Sequence, residues 1–287
     1  MKAHSFRRLL RVPQRALREF CYLSPVRQAL TKSAIGRRLY PAWERTHPFD
    51  QQFGTDTSGF VPVDKLNPDP ALQAQMYGYA GSQPSIIRQA IAAIGKVSDY
   101  SFLDAGCGKG RALLVASEFP FRSVAGIELS PMLTRIAAQN ARTIAQRFPA
   151  RAPITVQTGN VVDLRFPAGN LVLFMYNSLG SQILRLLVRK LQESIGSGAT
   201  PHAFVIYYNP IYGEQFDESD AFRRWFAETI PYDANEIGFG PDESDTVVIW
   251  QSARNSVAAE CKGADRNIVA LQPGMRAGLA DQVSRAG

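Results

Sequence analysis

Three glycines at alternate positions, Gly106, Gly108 and Gly110, lie in the run Phe102-Leu103-Asp104-Ala105-Gly106-Cys107-Gly108-Lys109-Gly110-Arg111. Glycine lets a backbone turn sharply and brings a ligand close to main-chain N–H groups, which suits a strand-to-helix turn that cradles a cofactor. The spacing is GxGxG. The dinucleotide fingerprint is GxGxxG, and its third glycine would fall on Arg111; a phosphate loop ending in Gly-Lys-Ser/Thr is also missing. An oxidoreductase is therefore a distant alternative. Glu128 follows Asp104 by 24 residues, near the spacing at which an acid holds a ribose diol in doubly wound folds. Two more polar clusters, Thr158-Gly159-Asn160 and Tyr176-Asn177-Ser178, stand at the ends of the third and fourth expected strands. Such strand ends are where open α/β sheets bind ligands.

The elements that must position these residues alternate. Ile86, Ile87, Ala90, Ile91 and Ile94 repeat at helical spacing, with Ser82 as a candidate cap and Gly95 as a stop. Strands are expected at Ser101–Asp104, Val124–Glu128, Ile154–Gln157, Leu171–Tyr176 and Phe204–Tyr208. Helices are expected at Arg111–Glu118, Met132–Phe148, Ile183–Ile195 and Ala221–Ile230. Thr246–Trp250 reads as a last strand, paired in a hairpin with Pro231–Ile237. This order predicts a doubly wound α/β domain with a mostly parallel sheet, helices on both faces and a C-terminal antiparallel hairpin strand.

Together these residues resemble the class I (seven-stranded) S-adenosylmethionine-dependent methyltransferases, over roughly residues 84–252. The resemblance implies a seven-stranded sheet and S-adenosylmethionine as cofactor. It implies that Asp104 lies near the methionine moiety and that Gly106, Gly108 and Gly110 form the floor beneath the cofactor. It also implies that Glu128 binds both ribose hydroxyls, and it makes Cys107, Leu129, Asn160 and Val161 further cofactor contacts. Family members often carry Gly-Asp-Ala after the third strand, where the acid accepts from the adenine amino group. Here Asn160 offers an uncharged carbonyl instead, and Asp163 is a substitute three residues on. Tyr176 and Asn177 are the candidate catalytic residues.

A narrower similarity rests on Asp50–Ser58, on Gly-Lys-Gly-Arg in the loop, and on Tyr-Asn and Tyr-Tyr-Asn-Pro after strands four and five. These look like a group of bacterial methyltransferases without settled substrates, whose core is distantly similar to the seven-stranded histone-lysine methyltransferases. In that group proline follows Tyr-Asn, as in the Asn-Pro-Pro-Tyr signature of amino-group DNA methyltransferases. Ser178 and Leu179 stand there in this chain, a departure that speaks against amino-adenine methylation.

Several residues carry two readings. Cys107 is a small filler between glycines rather than a nucleophile. Lys109 and Arg111 open a helix, where cations oppose the dipole; either they contact a carboxylate or other anion, or they form a solvated first turn. Tyr77 and Tyr79 either close over the cofactor's methionine end or pack with wet hydroxyls. Asn177, Tyr207, Tyr208 and Asn209 lie where a substrate would enter. The two tyrosines alternate faces, so at most one reaches a pocket.

The 287 residues carry a net charge of +7, but residues 1–45 alone hold eleven Lys/Arg against Glu19 and Glu44, which leaves the remainder nearly neutral. The layout expected is a basic helical arm (1–45), a loop-rich connector (46–83), the methyltransferase domain (84–252) and a flexible tail (253–287). Leu9, Ala16, Leu17 and Phe20 share a helical face in the arm. It either meets an anionic surface, lipid or nucleic acid, or packs on the domain with its arginines solvated. No apolar run reaches transmembrane length. Cys21, Cys107 and Cys261, like His4, His47 and His202, are scattered, which argues against a zinc site or a disulfide framework and for a reducing, cytoplasmic setting. The function expected is methyl transfer to a protein side chain or small molecule. The alternatives are a nucleic acid methyltransferase that uses the basic arm, or a protein that binds S-adenosylmethionine without turnover.

Overall fold

The computed structural model describes residues 45–66, 69, 73, 75–239 and 242–253. The expectations for the basic arm before Arg45, for the tail after Ala253, and for His4, Cys21 and Cys261 lie outside the described residues.

Seven strands form one sheet: β1 (Tyr100–Ala105), β2 (Ser123–Glu128), β3 (Ile154–Thr158), β4 (Asn170–Tyr176), β5 (Ala203–Tyr208), β6 (Phe222–Pro231) and β7 (Ser244–Ser252). Their order is β3-β2-β1-β4-β5-β7-β6. The pairs among β1 to β5 are parallel, and β7 runs antiparallel to both β5 and β6. The doubly wound sheet with a C-terminal antiparallel strand is as expected. β1, β4 and β5 are buried almost along their whole length, because helices cover both faces and each strand can be apolar throughout.

Helices α1 (Pro48–Phe53), α2 (Val63–Leu66), α3 (Pro84–Ile94), α4 (Arg111–Ala116), α5 (Pro131–Arg147), α6 (Ser181–Gly196) and α7 (Glu214–Asp217), with a 3₁₀ turn at Val161–Asp163, complete the described elements. One core lies between the sheet and α1, α3 and α4. Phe49, Ile87, Leu114, Ile144, Phe174 and Ile206 belong to it. The other lies under α6 and α7, where Leu184, Leu187, Leu191 and Phe216 meet Leu173, Val205 and Trp250.

Three local expectations change. Helix α3 is capped by Gln83 rather than Ser82, and without a side-chain bond. The Gln83 carboxamide is instead 2.9 Å from the His47 ring Nε2. The span Ala221–Ile230, expected as a helix, is mostly β6 and forms the hairpin with β7; the partner strand expected at Pro231–Ile237 lies mainly in the turn that follows. Strand β6 carries a bulge between Arg224 and Phe226. It puts Phe222 on the opposite face of the sheet from Phe226 and Ile230, while the four-residue spacing of these three is one that a strand shares with a helix face. Third, part of the connector is tightly packed. Helix α1 is capped by His47 Nδ1 and by Gly54 at φ +67°, and Phe53 meets Phe148 edge-on with centroids 5.6 Å apart.

Among the described residues no helix is long and apolar enough to cross a membrane, and no cluster of His, Cys, Asp and Glu could hold a metal ion.

Candidate functional site

Strands β1, β2 and β3 are laid down outward in one direction, and β4 then returns to the other side of β1. The crevice beyond the carboxyl ends of β1 and β4 is the topological switch point of such a sheet. A pocket opens there, bounded by Gly159, Asn160 and Val161 after β3, Glu128 and Leu129 at the end of β2, Asp104, Gly106, Cys107 and Gly108 at the end of β1, and Tyr176 to Leu179 at the end of β4.

The loop after β1 turns as its glycines require. Gly106, Gly108 and Gly110 have φ of +85°, +55° and +86°, a region that side chains with a Cβ rarely adopt. The amides of Gly106 and Cys107 both donate to the Ile127 carbonyl, at 2.9 and 3.0 Å, which stitches the loop to the end of β2. Space is equally restrictive. A Cβ on Gly106 would stand 2.5 Å from the Ser178 Cβ, and one on Gly108 would run into the Tyr79 ring.

Glu128 is buried and its carboxylate is fixed by the backbone. Oε2 accepts the Gly108 amide at 2.9 Å and Oε1 the Ser130 amide at 2.8 Å. Burial pushes its carboxyl above the usual range, and the two amides, with Leu129, pull it partly back. Asp104 is buried too, and desolvation, reinforced by the nearby Glu128 charge, drives its carboxyl well above the ordinary value. Burial likewise raises the Cys107 thiol far above its usual range. Its sulfur packs where a side chain at Gly126 would lie, which favours the filler role.

Asn160 reaches the pocket, but its Oδ1 caps the 3₁₀ turn by accepting the Val162 amide at 3.1 Å. One lone pair of the carbonyl expected for adenine is thus already in use. Asp163 is exposed and does not line the pocket, so it does not substitute for Asn160.

Asn177 is the most unusual residue of the site. Its backbone is left-handed at φ +43°, its side chain is 97% buried, and both Oδ1 and Nδ2 lack a hydrogen-bond partner among the described residues. Buried amides are normally satisfied, and leaving one unpaired costs roughly 1–3 kcal/mol. Beside it Tyr176 lines the pocket and stacks on Tyr208 with centroids 4.3 Å apart. Neither Tyr207 nor Tyr208 reaches the pocket. Tyr207 packs in the α6 core, and the Tyr208 hydroxyl donates to Asp245 at 2.5 Å. Asn209, at φ +50°, also donates to Asp245, at 2.6 Å.

Lys109 and Arg111 are tied down rather than solvated. Lys109 Nζ bonds Asp56 Oδ1 at 3.1 Å and the Ser58 carbonyl at 2.7 Å. Arg111 donates to Thr57 Oγ1 (2.7 Å), the Thr57 carbonyl (2.9 Å) and the Ser82 carbonyl (3.2 Å). The segment they grip is shaped by Asp50, which accepts from the hydroxyls of Thr55, Thr57 and Ser58 and from the Thr57 amide. The two motifs Asp50–Ser58 and Gly-Lys-Gly-Arg are therefore one interlocked structure.

A strap over residues 75–82 forms the remaining wall. Met76 bridges to Leu179, the Gly180 amide donates to the Gln75 carbonyl, and the Tyr79 hydroxyl donates to the Thr57 carbonyl at 2.7 Å. Tyr77 and Tyr79 both face the pocket. The strap carries no periodic signal in the sequence, because its anchors on Leu179 and Gly180 are backbone groups. Its only pointers are the tyrosines and the closely fitted Gly78 and Gly81.

No model of a known protein family matches the chain, and no curated protein is similar to it. Among solved structures it is similar to a ribosomal protein L11 methylase from Lactobacillus delbrueckii subsp. bulgaricus. That match has a TM-score of 0.37 and 17% identity, over 56% of this chain and 75% of that one. It is also similar to a TehB-like SAM-dependent methyltransferase from Corynebacterium glutamicum, with a TM-score of 0.37 and 16% identity over 57% and 85% of the two chains. A third is the 23S rRNA methyltransferase ErmE, at 0.41 and 16% over 62% and 71%. Likenesses at this level carry no functional argument, which rests on the chain's own residues.

Proposed function

We propose that this chain transfers the methyl group of S-adenosylmethionine to an acceptor that enters beside Asn177. The observation that carries this reading is the convergence in one pocket of a backbone-fixed Glu128, a cradle of positive-φ glycines that a Cβ would fill, and the orphaned buried amide of Asn177. The donor set fits the cofactor from end to end. Glu128 would accept the ribose hydroxyls, and Asn160 with Val161 would meet the adenine. Asp104 would face the methionine ammonium, whose charge would offset the cost of ionising that buried carboxyl.

S-adenosylmethionine supplies a methyl group already made electrophilic by its sulfonium. What the chain's residues contribute is alignment and exclusion of water. Asn177 can donate and accept one hydrogen bond each to hold the acceptor, with the Tyr176 ring beside it. The strap and the Tyr79 ring keep solvent from the Gly108 side.

A protein side chain or small molecule is the favoured acceptor. The eleven Lys/Arg of residues 1–45 favour a nucleic acid as the second reading. The test is transfer of labelled methyl from S-adenosylmethionine into cell extract, followed by separate protease and nuclease treatment. Label that depends on the protein and on Asn177 supports the reading, and the treatment that releases it gives the acceptor class. Cofactor binding with no labelled product in any fraction would favour a binding protein without turnover.

A further inference from the structure

The wall of the pocket contains a buried cation that no carboxylate of the described residues hydrogen-bonds; its ion-pair partner, Asp50, stands off at 3.9 Å. Arg111 is 96% buried and lines the pocket beside Gly108, Gly81 and Ser82. The described residues that accept from it are two carbonyls and one hydroxyl, for three hydrogen bonds against the five N–H groups of a guanidinium. The nearest acid, Asp50, stands at 3.9 Å, beyond hydrogen-bond distance, and its oxygens are already engaged by Thr55, Thr57 and Ser58. Lys109 differs, since its ammonium is directly paired with Asp56.

The surroundings say which part of a ligand would meet this cation. The pocket crosses the strand ends in the order β3, β2, β1, β4. With the ribose at Glu128 and the adenine toward β3, the opposite end of the ligand lies past Asp104, toward the strap. There Arg111 approaches closely enough that a Cβ on Gly81 would stand 2.6 Å from its guanidinium carbon. An acid and an arginine on one side of a pocket match a zwitterion, with ammonium facing carboxylate and carboxylate facing guanidinium.

Resting on the reading of this pocket as an S-adenosylmethionine site, we propose that Arg111 is a specificity-determining residue that receives the α-carboxylate of the cofactor's amino-acid end. The Asp50-centred segment is its positioning device. By holding Thr57, Asp50 keeps two of the three hydrogen bonds that aim the guanidinium, so the Asp50–Ser58 motif serves ligand recognition without touching the ligand.

The test compares calorimetric affinities of the full chain for S-adenosylhomocysteine, its carboxyl methyl ester and 5′-methylthioadenosine, which lacks the amino-acid end. For the wild type the ester should bind ~10-fold or more weakly than the free acid, the scale of one lost charge-assisted pair. Arg111→Gln should weaken S-adenosylhomocysteine by a similar factor and change 5′-methylthioadenosine by less than about twofold, with Arg111→Lys intermediate. Equal losses for both ligands would make Arg111 a purely structural residue and overturn the proposal, as would no loss for either. The ester comparison needs no variant, so equal affinity of acid and ester overturns it even where Arg111→Gln does not fold. A folded wild type that binds none of the three would overturn the cofactor reading itself.

Discussion

The Gly108 amide donates to Glu128 Oε2 at 2.9 Å, so the loop after β1 and the acid after β2 form one hydrogen-bonded unit. With Ser130 bonding the other oxygen, the carboxylate has a single orientation before any ligand arrives. This predicts that Glu128→Gln is not a mild change. A carboxamide has one acceptor oxygen for two backbone donors, so one buried amide loses its partner. Denaturant unfolding should show a loss of roughly 1–3 kcal/mol, and titration should show a large loss of S-adenosylhomocysteine affinity.

Asn177 should show the opposite balance. Its amide is buried and unpaired, and its φ of +43° suits glycine better than any side chain. Asn177→Gly should leave thermal stability unchanged or raise it by about 1 kcal/mol. It should also abolish labelled-methyl incorporation. A destabilised variant with intact methyl transfer would contradict the role given to this residue.

Asp104 ties stability and binding to pH in opposite senses. Its carboxyl is raised in the unliganded fold, so the fold takes up a proton more readily than the unfolded chain does. That contribution to stability is complete below the ordinary aspartate range and is lost as pH rises through the folded-state value. At neutral pH Asp104→Asn should therefore melt at a higher temperature than the unliganded wild type. It should also bind S-adenosylhomocysteine more weakly, and wild-type affinity should fall as the pH is lowered. Thermal scans and titrations carried from acid to alkaline pH check both signs.

Much of this was legible from residues alone, for identifiable reasons. Strands β1, β4 and β5 are buried on both faces and read as unbroken apolar runs. Asp104 and Asn177 stand at the ends of β1 and β4, Glu128 ends β2 and Asn160 lies just past β3, and all four line the pocket. Strand β6 was hidden because Phe222, Phe226 and Ile230 recur every four residues, a spacing that a strand shares with a helix face. The strap was hidden because its contacts with Leu179 and Gly180 run through the main chain. Asp50 lies about 50 residues before the loop it supports, and only the folded chain brings Thr57 against Arg111.

Cys107 should be inert in the native protein despite its place in the pocket, because its thiol is buried and raised far from ionisation. Mass mapping after brief alkylation at neutral pH should find Cys107 unmodified. Modification at the native rate of an exposed thiol would contradict its role as packing.

The central claim is that the crevice across β3, β2, β1 and β4 holds S-adenosylmethionine. Its most direct test is calorimetric titration of the folded wild type with S-adenosylhomocysteine, beside Glu128→Ala and Gly108→Val. Micromolar binding that both substitutions weaken at least about tenfold is the predicted result. Absence of binding by the folded wild type, or binding that neither substitution disturbs, would contradict it.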